Sequence, residues 1–134
     1  MSNVAVVQSI YEAFGRGDIP AILEKLSDNI DWEYAYRAAP HPVPWLQPRA
    51  GKAGVAQFFQ SLDALEFNQF TPKVLLEGTD LVVALIDLQV KVKQTGRPIV
   101  EQDEAHIWHF DSAGKVVRFR QCADTYQHMR AYQG

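Results

Sequence analysis

The sequence predicts an α+β fold, and three observations carry that prediction. Helical periodicity is confined to the first half of the chain, and strand runs separated by turn-forming residues fill the second. A length of 134 residues with 47% hydrophobic and 22% charged content suits a single core. Helices first and a long sheet afterwards imply helices gathered on one side of an antiparallel sheet, within one domain spanning 1–134. No internal repeat, low-complexity segment or second domain boundary is visible.

Val4, Val7, Tyr11 and Phe14 recur at helical spacing, and Gly15 and Gly17 follow as a stop signal. Asp18 then caps a second helix. Its carboxylate can accept the free N–H groups of the first turn, Pro20 is tolerated there, and Ile19, Ile22, Leu23 and Leu26 form an apolar stripe. Ile30 to Tyr36 alternates as a strand does. Pro40, Pro42, Pro44 and Pro48 next force an extended loop, more lid than linker, that carries His41 and Trp45. Past Gly51 and Gly54, the spacing of Val55, Phe58, Phe59 and Leu62 predicts a third helix packed by one face. Runs at about 66–77, 80–93, 98–110 and 115–123 are rich in Val, Ile, Leu and aromatics. Turn chemistry at Gly78-Thr79-Asp80, Thr95-Gly96-Arg97-Pro98 and Ser112-Ala113-Gly114 joins them into three hairpins, a curved antiparallel meander.

Thirteen Lys plus Arg against sixteen Asp plus Glu give a net charge of −3, so no general field attracts phosphate backbones or anionic lipid. Neither nucleic acid nor membrane is expected as a partner. The longest aliphatic run, Leu81 to Ile86, has six residues where a spanning helix needs about twenty. The N-terminus shows no export signal, and the single Cys122 needs no oxidising compartment, so the expected location is cytoplasmic.

The sheet carries polar residues where a solid core would have none. Val82, Ala84, Ile86, Leu88, Val90 and Val92 supply one apolar face. Strict alternation along 98–110 puts Gln102, Glu104, His106, Trp108 and Phe110 on one face and Glu101, Asp103, Ala105, Ile107 and His109 on the other. Ionisable groups then stand on both faces, including the one that covers the helices, which points to a pocket. Among Glu101, Asp103, Glu104 and His106, alternation leaves no more than two to a face, Glu104 with His106 on one of them, too few for a metal. Nothing matches a phosphate-binding glycine loop or a nucleophile elbow, so no cofactor is expected.

Several segments carry a family resemblance: Tyr11-Glu12-Ala13-Phe14-Gly15-Arg16-Gly17-Asp18, Asp28 to Trp32, Gly51 to Phe59, and Gly114-Lys115-Val116-Val117-Arg118-Phe119-Arg120 through Asp124-Thr125. Together they resemble the SnoaL-like polyketide cyclase family, within the nuclear transport factor 2-like, or ketosteroid isomerase-like, superfamily. The resemblance implies a cone-shaped α+β domain whose strongly curved sheet wraps three N-terminal helices around a deep apolar pocket, usually as a homodimer formed through the sheet. Its ligand would be a small apolar, cyclic or polyketide-like molecule.

Transferred residue by residue, the resemblance is uneven. The isomerase general base falls on Tyr34, so that base is missing, and the helix-one tyrosine falls near Ile10 or Tyr11. The protonated aspartate of the isomerases maps to His106, which can also donate a hydrogen bond. The Arg-x-Asp pair of limonene epoxide hydrolases meets Ile86-Asp87-Leu88-Gln89 and lacks its arginine. Asp124 matches the last-strand aspartate that the cyclases use as acid/base. The expected catalytic pair is therefore Asp124 and His106. Tyr34 and Trp108 would hold the ring, with Tyr11, Trp32, Phe59, His41 and Trp45 as further pocket groups. A cofactor-independent enzyme of isomerase, cyclase, dehydratase or hydrolase type is the first reading. A non-catalytic ligand-binding protein and a dimerisation scaffold are the alternatives.

Overall fold

The computed structural model describes residues 1–38 and 41–134. Pro40, one of the four loop prolines, lies outside the described residues. Helix α1 (Asn3–Gly15) begins where the Ser2 hydroxyl accepts the Ala5 N–H at 3.1 Å. It ends because Gly17 takes φ +70°, letting its N–H reach the Phe14 carbonyl while the Asp18 N–H reaches that of Ala13. Asp18 at once caps α2 (Ile19–Leu23), accepting from the Ala21 N–H. Val6, Val7, Ile10, Ala13 and Ile22 form the buried face of this helical pair.

Strand β1 (Leu26–Trp32) starts and ends earlier than the alternation suggested. Glu33 at φ 56° turns the chain out of the sheet, and Tyr34–Tyr36 form a single 3₁₀ turn. The described part of the proline-rich loop packs inward, with Val43, Trp45 and Leu46 all buried. It is therefore a plug in the core, not a lid over it. Then come β2 (Arg49–Ala50), α3 (Gly51–Ser61), β3 (Leu65–Glu77), β4 (Leu81–Val92), β5 (Pro98–Phe110) and β6 (Val116–Cys122).

One curved, unclosed six-stranded sheet results, in the order β2-β1-β6-β5-β4-β3, antiparallel except for the parallel β1–β6 pair. Register shifts in β3–β4 and β4–β5 mark the bulges that bend it. Val82, Ala84, Ile86, Leu88, Val90 and Val92 line its buried face as the sequence predicts. A fourth helix, α4 (Thr125–Gln133), was not expected. It closes the sheet end where Gln127 bonds both the Val100 N–H and carbonyl and the Thr95 hydroxyl donates to Ala131. Among the described residues no helix is long and apolar enough to cross a membrane.

Candidate active site

A bulge in β5 builds the site. Leu88 pairs with Glu101 and Ile86 with Glu104, so two residues, Gln102 and Asp103, stand opposite the single Asp87. Asp103 adopts φ 64°, its N–H is accepted by the Asp87 carboxylate at 3.2 Å, and Lys73 Nζ lies 2.6 Å from Asp103 and 2.9 Å from Asp87. The extra residue breaks the two-residue period, so Glu101 turns inward with Glu104, His106 and Trp108. Strict alternation had set Glu101 and Glu104 on opposite faces, and this is the correction.

These side chains form two buried hydrogen-bonded runs, each ending on an indole, that meet where Glu104 adjoins Glu101. The Trp108 N–H donates to Tyr11 Oη at 3.0 Å, and that oxygen lies 2.8 Å from His106 Nδ1. His106 Nε2 is 2.7 Å from Glu104 Oε2. Glu101 Oε2 is 2.6 Å from His128 Nε2, and the Trp45 N–H donates to His128 Nδ1 at 2.9 Å. Glu101 Oε1 accepts the Asp124 N–H at 2.7 Å.

Burial sets the charges. Desolvation drives His106 down to about 3, so the ring is neutral near pH 7. Desolvation also raises Tyr11 well above a free phenol. Glu104 is held well above the carboxylate range by burial and by neighbouring Glu101. Burial works against the Glu101 charge too, yet the hydrogen bonds it accepts, the His128 bond foremost, bring it down to about 2. One glutamate of the pair is thus an acid and the other an anion.

The chain forms the polar wall of a cavity of about 70 Å³. Tyr11, Trp32, Trp45, Phe59, His106 and Trp108 line it, so six of the nine expected site residues meet there. Three do not line it. Asp124 is exposed and caps α4, its Oδ1 accepting the Gln127 N–H at 3.2 Å, so its carboxylate serves a helix end. The Tyr34 hydroxyl is 2.9 Å from His109 Nε2, with the Arg118 guanidinium 4.0 Å over its ring, outside the cavity wall. His41 Nδ1 accepts the Val43 N–H of its own loop.

Glu101 and His128 are the functional candidates that the sequence reading did not place. His128 had a legible signal. Asp124 followed by Gln127 is a helix-start pattern, and His128, Ala131 and Tyr132 then repeat at i, i+3 and i+4. Glu101, Glu104 and His128 offer ligand atoms within 4.8 Å of one another, a spacing open to a cation. The donor chemistry does not fit one. Because His128 Nδ1 accepts the indole N–H, the neutral ring carries its proton on Nε2, the atom that would have to bind metal.

The family model of the SnoaL-like domain matches residues 7–119. No curated protein matches the chain. Among solved structures, an NTF2-like protein from Burkholderia thailandensis E264 superposes with a TM-score of 0.84 at 23% identity, covering 100% of this chain and 99% of that one. Another NTF2-like protein, from Burkholderia xenovorans LB400, gives 0.82 at 25% identity over 96% and 94% of the two chains. TerC, co-crystallised with polyporic acid, gives 0.77 at 21% identity over 98% of each chain.

Proposed function

Since this chain belongs to the family of SnoaL-like domains, we propose that its cavity takes a small, largely apolar ring compound and performs cofactor-independent acid/base chemistry on it. The observation that carries this reading is the Trp108–Tyr11–His106–Glu104 chain set in the wall of an otherwise apolar cavity. Tyr11 Oη meets an oxygen of the ring, and His106 and Glu104 behind it move the proton that an isomerisation, cyclisation, dehydration or hydrolysis requires. Trp32, Phe59 and Trp108 hold the ring by its faces. Asp124, outside the cavity, has no part in this chemistry. A homodimer through the outer sheet face belongs to the same proposal, supported by Leu76 and Val100, which are 53% and 55% exposed.

A second reading, binding without chemistry, is favoured by the two ends of the chain: both indole N–H groups are engaged and His106 is neutral, a stable resting arrangement. Hydrogen–deuterium exchange at carbon separates the two. Cyclic diketones and hydroxyquinones are incubated with the protein in heavy water and followed by NMR. The enzyme reading expects exchange above the buffer rate, lowered about a hundredfold by Tyr11→Phe. Ligand binding without any exchange supports the second reading, and absence of both defeats the two together.

A further inference from the structure

The group that Tyr11 shows to the cavity follows from counting protons along the buried chain. An indole N–H only donates, and one closes each end, Trp108 on Tyr11 Oη and Trp45 on His128 Nδ1. His128 Nδ1 is therefore bare, Nε2 carries the hydrogen, and that hydrogen goes to Glu101 Oε2 across 2.6 Å. With the Asp124 N–H on its Oε1, Glu101 is solvated as an anion from two sides.

Glu104 Oε1 is buried and meets no donor among the described residues, and the Glu101 carboxylate is its neighbour, the two offering oxygens within 4.8 Å of each other. A proton on Oε1, donated to Glu101, satisfies both groups, whereas two bare carboxylates there would repel. Glu104 then offers only a lone pair at Oε2, so His106 donates from Nε2 across 2.7 Å and accepts at Nδ1. Tyr11 gives its hydrogen to that Nδ1, 2.8 Å away. Inside the network Tyr11 Oη has accepted once and donated once. It faces the cavity with a lone pair and no hydrogen.

Resting on the pocket reading above, we propose that the cavity selects a ligand that presents a hydroxyl hydrogen to Tyr11 Oη, an enol, phenol or hydroxyquinone, over the matching ketone. The Trp32 indole N–H in the same wall has no partner among the described residues and can take a carbonyl, but a ketone that sits on Tyr11 Oη needs the Tyr11 hydrogen turned toward it. His106 must then donate from Nδ1 and Glu104 from Oε2, which leaves the Glu101–Glu104 contact without a proton. Ketone binding accordingly draws one proton from solvent onto the glutamate pair, and hydroxyl binding draws none. The titratable and charged groups around the pair are His106 and His128, bonded to it, Tyr11 behind His106, Glu33 and Tyr36, which feel the Glu104 charge, Arg120 beside those two, and His41 near His128.

Titration calorimetry with para-cresol, its methyl ether and para-methylcyclohexanone tests this, in buffers of different ionisation heat between about pH 6 and pH 8. Cresol is expected to bind at least about tenfold more tightly than the ether, with no proton uptake. The ketone is expected to bind more tightly as pH falls, taking up to one proton per ligand. Tyr11→Phe brings cresol down to the level of the ether. Nitrogen NMR of the free protein shows His106 and His128 both protonated at Nε2. A ketone that binds as tightly as cresol without proton uptake, or a His106 protonated at Nδ1, overturns the inference and leaves the pocket reading intact. If none of the probes binds, the pocket reading fails and takes this inference with it.

Discussion

Asp124 follows the last strand and Glu104 lies within β5, and the structure gives these two carboxylates opposite duties. Asp124 is exposed and satisfies the first turn of α4. Glu104 is buried in the cavity wall behind His106. The amide variant separates the two roles of Asp124, because asparagine caps a helix about as well as aspartate but cannot carry a proton. Asp124→Asn is expected to leave urea stability, ligand binding and any exchange activity at the wild-type level. Asp124→Ala is expected to cost about 1 kcal/mol of stability with activity likewise kept. A hundredfold loss of exchange in a fully folded Asp124→Asn protein would return the acid/base role to Asp124.

Elements were legible in the sequence wherever one period ran unbroken, and illegible where the backbone changed period. The α1 stripe of Val4, Val7, Tyr11 and Phe14 and the β4 stripe from Val82 to Val92 have one period each and were read correctly. In β5 the alternation fails at Asp103, and with it the placing of Glu101, because no residue pattern announces a bulge made by a non-glycine at φ 64°. His106 and Trp108 lie beyond the bulge on the face that alternation gave them. The bulge therefore decides how much of the site is assembled. A β-branched residue tolerates a left-handed backbone poorly, so Asp103→Val is expected to lower urea stability by about 2 kcal/mol. Asp103→Gly is expected to stay within about 1 kcal/mol of wild type, since relief at φ 64° offsets the partly exposed Lys73 pair. Equal losses for valine and glycine would mean that the left-handed conformation at this position carries no cost.

At the scale of the whole molecule, the fold stores unlike carboxylates whose titration sets stability against pH, and this was invisible in the sequence because it depends on burial. Glu33 has no exposed surface. Its Oε1 accepts the Gln121 N–H at 2.8 Å, its Oε2 has no partner among the described residues, and desolvation raises it from the ordinary 4.5 to about 8. Between those values the folded chain keeps a proton that the unfolded chain has lost. Its contribution to stability is fully present below 4.5, falls as pH rises, and is gone above about 8, with a slope of at most ~1.4 kcal/mol per pH unit. Glu104, also raised, acts in the same direction. His106 has the opposite sign: lowered from 6.5 to about 3, it contributes stability that is present above 6.5 and lost as pH falls toward 3. The slopes oppose one another between 4.5 and 6.5, and only the decline remains from 6.5 to about 8. Urea midpoints are therefore expected to fall from slightly acid pH toward pH 8. Glu33→Gln keeps an acceptor for the Gln121 N–H and removes the titration, so it is expected to gain on wild type steadily across that interval. A difference between the two proteins that does not change with pH would show that Glu33 titrates in the fold as it does in the unfolded chain, and the buried charge economy assigned to this end of the sheet would have to be withdrawn.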